Sequence, residues 1–205
     1  LLPKQKAARW VCLAFWWGAL FVSAFSAKAQ AEYLVYNTFP ITGTTYDVAF
    51  HVASDHLGNA YFFTGGGPQI IKKLTPQYTV ETIGGSFGWD SRMAVDPNLW
   101  IWVFELGNMI KKADSQGNVV LSFGNSTTLA NATAIASDGS KVWVAHAAPW
   151  VCSGYTCGWG GTGKLEVYNA SNGSLLSSIS MPWRFAPQMA YHDGKIFVNG
   201  ATDMY

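Results

Sequence analysis

The chain predicts an all-β fold assembled from repeated small sheets. Three observations carry that prediction: an aromatic-centred strand that recurs at near-constant spacing, turn signals before each recurrence, and low charge combined with abundant glycine. The repeat is read most clearly at Asp96 to Lys112, where a turn, an alternating strand, a Gly107-Asn108 turn and a second strand follow one another. The same centre appears as Ala60-Tyr61-Phe62, Ile101-Trp102-Val103, Val142-Trp143-Val144 and Ile196-Phe197-Val198. Tyr61 and Trp102 lie 41 residues apart, Trp102 and Trp143 another 41, and Trp143 and Phe197 lie 54 apart, with the surplus around Trp150 to Gly161. Periods of about 40 to 45 residues holding four short strands are those of propeller blades. A unit of that size cannot bury its own apolar face, so neighbours must stack. The expected fold is a partial β-propeller of about three and a half four-stranded blades in an open arc.

Taken in order, residues 1–29 read as a signal peptide, with a retained membrane anchor as the alternative reading of the same apolar run. Lys4, Lys6 and Arg9 precede an uncharged apolar run from Trp10 to Ala27, and Ala27-Lys28-Ala29 offers small residues for cleavage before Gln30. This predicts a secreted or periplasmic protein with no stable membrane span after cleavage. The remainder, 30–205, reads as an incomplete propeller and the chain as a fragment. Glu32 to Asn37 alternates like the outer strands of later blades, so it is expected to close the last blade. The blades are placed at about 46–84, 88–124, 129–180 and 184–205.

Within blade one the strands are expected at Val48 to Ala53, Asn59 to Phe63, Gln69 to Leu74 and Tyr78 to Ile83, with Gly65-Gly66-Gly67-Pro68 as a hairpin loop. Blade two repeats this with Met93 to Val95, Leu99 to Phe104, Asn108 to Ala113 and Val119 to Phe123. Blade three has Ala132 to Ala136, Lys141 to Ala145, Lys164 to Tyr168 and Leu175 to Ile179. Blade four has Gln188 to Tyr191 and Lys195 to Asn199. The central aromatics Tyr61, Trp102, Trp143 and Phe197 are expected to pack between blades. Asp55, Asp96, Asp138 and Asp193 fall in tight turns, where Asp bonds its own backbone.

The run Met93-Ala94-Val95-Asp96 through Trp102-Val103, followed by Asn108-Met109-Ile110 and Asp114-Ser115-Gln116-Gly117, resembles the NHL-type repeat. Asp138 to Val144 with Gly163 to Asn169 and Asn172 to Leu176 is similar to YVTN-type repeats of bacterial surface and periplasmic propellers. These resemblances imply a fold shared by enzymes, ligand binders and adhesion modules, so function must be argued from the site.

In a propeller the loop after each second strand lies on the same face as the loop entering the next inner strand. The residue three past the central aromatic is Thr64, Glu105, His146 or Gly200 in the four blades. The entering loops add Trp89, Asp90, Arg92, Trp183 and Arg184. Ala147 to Gly163 lengthens the same face in blade three and carries Trp150, Tyr155 and Trp159 among glycines. Once Cys12 leaves with the leader, Cys152 and Cys157 remain, and a local disulfide is the economical reading in an oxidising compartment.

The expected function is a binding module. Trp89, Arg92, Trp150, Tyr155, Trp159, Trp183 and Arg184 would form a top-face rim for a small molecule, glycan or protein. No cofactor and no metal ligand is assigned to it, and the net charge of +1 gives no electrostatic footprint for nucleic acid. The alternative rests on a further resemblance, of Leu99 to Glu105 to the virginiamycin B lyase type of propeller, and on the gluconolactonase-like propellers. It implies a metal-dependent enzyme with Glu105 and His146 as catalytic candidates and a divalent metal as cofactor. Exposed rim residues are the bland reading of that pair, and His51 and His192 read as structural or solvated.

Overall fold

The computed structural model describes residues 50–64, 68–88, 91–105 and 109–201, all within the unit formed by residues 42–205. The expected leader, the expected closing strand at Glu32 to Asn37, Gly65 to Gly67, Trp89 and Asp90 lie outside them. Every regular element among the described residues is a β-strand.

Three antiparallel four-stranded sheets follow one another. The first is β1 (Phe50–Ser54), β2 (Ala60–Thr64), β3 (Gln69–Leu74) and β4 (Val80–Phe87). The second is β5 (Arg92–Val95), β6 (Ile101–Glu105), β7 (Met109–Ala113) and β8 (Val119–Phe123). In the third, β9 (Ala132–Ser137) and β10 (Lys141–His146) continue through β13 (Lys164–Asn169) to β14 (Leu175–Ser180). Between β10 and β13 the chain leaves the sheet to form a separate hairpin, β11 (Trp150–Ser153) and β12 (Thr156–Trp159). A two-stranded sheet, β15 (Phe185–His192) and β16 (Lys195–Ala201), comes last. The inner strands touch in sequence, β1 to β5, β5 to β9 and β9 to β15, which fans the sheets into an open arc: a partial β-propeller.

Stacking follows from the two-residue period of a strand, whose successive side chains point to opposite faces. All five residues of β6 are buried. Ile101 and Val103 join Tyr61, Phe63, Ile71 and Phe87 of the first blade, whereas Trp102 and Phe104 join Val142, Val144 and Tyr168 of the third. In β10 the same alternation sends Val142 and Val144 back toward blade two and Ala145 forward to Trp183, just before β15, and to Ala186 within it. Each inter-sheet space therefore has its own core. As expected, Tyr61 and Trp102 are buried between blades, and half-buried Trp143 stacks on Tyr191 with ring centroids 6.3 Å apart. Phe197 departs from the expectation. It occupies the same position in its strand, but no described sheet lies beyond it, and it is 55% exposed.

The turns between first and second strands are built as the sequence predicts. The Asp96 carboxylate accepts from the amides of Asn98 and Trp100 and from the indole Nε1 of Trp102 at 2.9 Å. Asp55 does the same with Leu57, Asn59 and the Tyr61 hydroxyl. One residue thus closes a turn and fixes the aromatic that will carry the next blade. Asp138 takes the amides of Ser140 and Lys141. Leu99 corrects an expected boundary, because its φ of 64° places it in the turn, with the strand starting at Ile101.

Gly173 shows how tightly the outer turns seat. Its φ is 72°, and a Cβ there would lie 2.3 Å from Cγ of Phe123 in the preceding blade. Gly173→Ala is expected to cost about 2 kcal/mol or more, combining left-handed strain with overpacking. Gly154→Ala is the control, since its φ is 61° but its Cβ would meet nothing within 4 Å. Urea midpoints that fall equally in both variants would remove the steric part of this account.

Candidate functional site

Glu105 and His146 do occupy matching positions. Each ends the second strand of its blade and pairs with the first residue of the third, Met109 and Lys164 respectively. Both are buried, at 7% and 1% exposure, which corrects the expectation of exposed rim residues. The reason is that each ties its strand end to the loop entering its own blade. Glu105 accepts from the Gly88 amide at 3.0 Å and from Lys111 Nζ at 2.6 Å. His146 Nδ1 lies 3.0 Å from the Ala130 carbonyl, to which it donates, and the adjacent Ala147 amide donates to the Asn131 carbonyl.

The other His146 nitrogen faces a buried carboxylate. Nε2 sits 3.0 Å from Glu166 Oε2 but outside hydrogen-bond alignment, so it has an ionic neighbour and no hydrogen-bond partner. Glu166 accepts from Lys164 Nζ at 2.5 Å and from the Tyr168 hydroxyl at 2.6 Å. Burial is the largest influence on His146 and pushes its pKa below the ordinary 6.5, outweighing the upward pull of the Ala130 bond and the Glu166 charge. For Glu166 burial is again the largest single influence and acts upward. The bonds from Lys164 and Tyr168 together with the His146 charge exceed it, leaving the carboxyl below 4.5. Burial and the hydrogen bond to Glu166 raise the Tyr168 phenol.

These two residues therefore sit in separate networks, each within its own blade and entering loop. Neither lines the axial cavity described below. Among the described residues no three His, Cys, Asp or Glu side chains are grouped to hold a metal ion. Among the described residues, then, Glu105 and His146 are not brought together around one ion.

The insertion after β10 was expected as a loop and folds instead as a hairpin. Cross-strand partners run Trp150 with Trp159, Val151 with Gly158, Cys152 with Cys157 and Ser153 with Thr156. The expected disulfide joins Cys152 to Cys157, with an S–S distance of 2.05 Å, in keeping with an oxidising environment. Because side chains alternate, the disulfide and the two indoles share one face of the hairpin. The indoles meet edge to face, 5.0 Å between centroids at 84°, and Trp159 continues onto Phe185 at 6.2 Å. Trp150 is 57% exposed and Tyr155, at the tip, is fully exposed. The base is held by Gly160 N donating to Pro149 O and by Ala148 N donating to Arg184 O.

The other rim residues divide. Arg184 is exposed at the hairpin base, and Arg92 is half-buried at the start of β5. Trp183 is buried at 7% and packs with Ala145, Leu165 and Ala186, so it is a core residue between blades three and four. Its placement follows from the entering loop crossing directly over the preceding sheet, where Gly163 N donates to Trp183 O. Trp89 lies outside the described residues.

A cavity of about 540 Å³ opens along the inner strands, lined by residues of β1, β5, β9, β15 and β16. Arg92 and His51 meet in its wall, Nη1 to Nε2. His51, expected to be structural or solvated within the strand at Val48 to Ala53, does lie in β1. It sits at a register shift between Phe50 and Val52 with φ of 44°, a bulge that no alternation of apolar residues reveals.

No family model matches this chain, and no curated protein matches it. Among solved structures it is similar to a computationally designed protein, Ika4, with TM-score 0.51 and 14% identity over 82% of this chain and 99% of that one. It is also similar to a luciferin-regenerating enzyme, with TM-score 0.51 and 11% identity over 75% of this chain. The chain spans 54% of that enzyme's length. At these identities the likeness is one of fold.

Proposed function

We propose that this chain is part of a secreted or periplasmic binding propeller that recognises a ligand or protein through the aromatic hairpin β11–β12. The observation that carries this reading is the exposure of Trp150 and Tyr155 on a hairpin closed by a disulfide. Residues 147–163 contain no charged side chain, so the hairpin offers aromatic surface and hydroxyls without a charge preference. Large exposed aromatics held rigidly lose little freedom on binding, which is why such side chains anchor recognition surfaces. The binding reading does not draw on Glu105 and His146, whose carboxylate and Nδ1 atom hold the entering loops to the strand ends.

The test immobilises the full chain and reads binding to a glycan array and to extracellular protein extracts. Trp150→Ala and Tyr155→Ala are expected to weaken the captured signal by about tenfold or more with an unchanged urea midpoint. Opening the disulfide with dithiothreitol is expected to lower the signal too, because closing so short a loop stabilises the hairpin by about 2 kcal/mol. Signals indifferent to all three treatments would refute the hairpin as the recognition element.

A further inference from the structure

Granted that β11–β12 is the recognition element, its composition narrows the partner to one class. Residues 147–163 hold no Asp, Glu, Asn, Gln, His, Lys or Arg, so side-chain hydrogen bonding there is limited to the hydroxyls of Ser153, Tyr155, Thr156 and Thr162 and to the indoles. A glycan or protein site is ordinarily oriented by a few fixed amide or charged groups beside its aromatics. This hairpin has none. It offers apolar surface on both faces instead: Trp150, on the side of the disulfide, is 57% exposed, and Val151, on the other side, is 51% exposed. Tyr155 adds a fully exposed ring at the tip. A sugar ring or a protein groove covers one face of such a ribbon, whereas a fluid apolar medium covers both.

The shape of the hairpin limits how deep it can go. Among the described residues β11 and β12 pair with each other and with no other strand, and all four residues of β11 are exposed. The cross-strand pair nearest the tip but one is the uncharged disulfide, which keeps the ribbon closed away from the sheets. Each strand has four residues, where crossing a bilayer takes about 9 to 11. The outer edges of a two-stranded ribbon also leave backbone groups that need water. The hairpin is therefore matched to the headgroup boundary and not to the hydrocarbon interior. Trp and Tyr concentrate at that boundary because each joins an apolar ring to a polar tip.

We propose that β11–β12 is an interfacial membrane anchor, with Trp150, Val151 and Tyr155 entering the boundary between headgroups and acyl chains of a zwitterionic lipid surface. The absence of Lys and Arg from residues 147–163 makes the attachment independent of anionic lipid, unlike that of basic segments, which such lipids attract. The apolar contact supplies the affinity, and the disulfide spares the ribbon the cost of being ordered on arrival.

The experiment sediments the full chain with sucrose-loaded vesicles of phosphatidylcholine. Half-saturation is expected at about 1 mM lipid, and raising salt from about 0.1 M to about 1 M should not weaken binding, because the hairpin makes no charge contact to screen. Trp150→Ala, Val151→Asp and Tyr155→Asp should each weaken binding by about tenfold or more, since each withdraws apolar surface or carries a charge into the interface. Leu57→Asp, which alters a leucine 55% exposed in the β1–β2 turn, should bind as the wild type does. No sedimentation at about 10 mM lipid, binding abolished at about 1 M salt, or a loss in Leu57→Asp equal to that of the hairpin variants would each overturn the proposal. The lipid and salt titrations need no variant and stand even if a substitution disturbs the hairpin. A chain that ignores vesicles yet captures a glycan or protein through Trp150 would overturn the lipid assignment and keep the hairpin reading. Indifference to Trp150→Ala in both assays would overturn both.

Discussion

Replacing Trp102 with alanine is expected to cost about 3 to 5 kcal/mol, the range for deleting a fully buried large side chain. Trp102 is completely buried and shares a core with Phe104, Val142, Val144 and Tyr168, and Phe123 packs against it at 6.5 Å. It belongs to blade two but faces blade three. The Lys112 ammonium lies over its ring at 5.1 Å. The substitution would therefore open a void at a joint between two sheets, and it would leave Asp96 without the indole donor. Urea denaturation should show a lower midpoint with an unchanged slope. Pairing Trp102→Phe with Asp96→Ala in a double-mutant cycle should reveal a coupling of about 1 kcal/mol, the usual worth of such a bond. A loss under about 1 kcal/mol for Trp102→Ala would mean that the joint is not load-sharing and that the stacked-blade account is wrong.

Removing the Glu166 carboxylate is the second large effect. Glu166→Ala strands a buried Tyr168 hydroxyl and the buried His146 ring, and breaking a buried charged network of this kind costs about 3 kcal/mol. Lys164 adds little to that figure because its side chain is 42% exposed. The same cluster sets an acid limit. His146 has a folded pKa below 6.5, so as pH falls below that value the unfolded chain takes up the proton first and stability declines. Glu166, with a folded pKa below 4.5, contributes stability at neutral pH that is lost as pH falls through the acid range. Both shifts act in one direction. The urea midpoint should fall on acidification from neutrality. His146→Gln should flatten the part of the fall that begins at 6.5, and Glu166→Gln the part that begins at 4.5. A wild-type midpoint constant from pH 7.5 to 4 would contradict this assignment.

Much of the site was out of reach of strand patterning for reasons that can be named. Register placed Glu105 and His146 at equivalent strand ends, because position along a strand is counted in residues. Whether those ends are exposed depends on where the loop entering the same blade crosses, and Gly88 and Ala130 lie 17 and 16 residues from them in sequence. Trp183 misled for the same reason: a tryptophan in a loop is a surface residue unless the loop lies across a sheet. The disulfide was legible because two nearby cysteines in an uncharged insertion have few other fates. Its hairpin was not, since Trp150 to Trp159 pairs with itself and lacks the repeat that marked the blades.

What the sequence determined alone is the blade: a two-residue apolar period, a 41-residue recurrence and an Asp at each turn specify local strands, their pairing and the aromatic that faces the next sheet. These are short-range properties, set by backbone geometry and burial of alternate side chains. The tertiary structure decided which strand ends meet, that Glu105 and His146 are joints, and that His51 reaches Arg92 across 41 residues. The last of these contacts arises only when separate sheets are stacked about a common axis, and His51 and Arg92 line the cavity which that stacking creates.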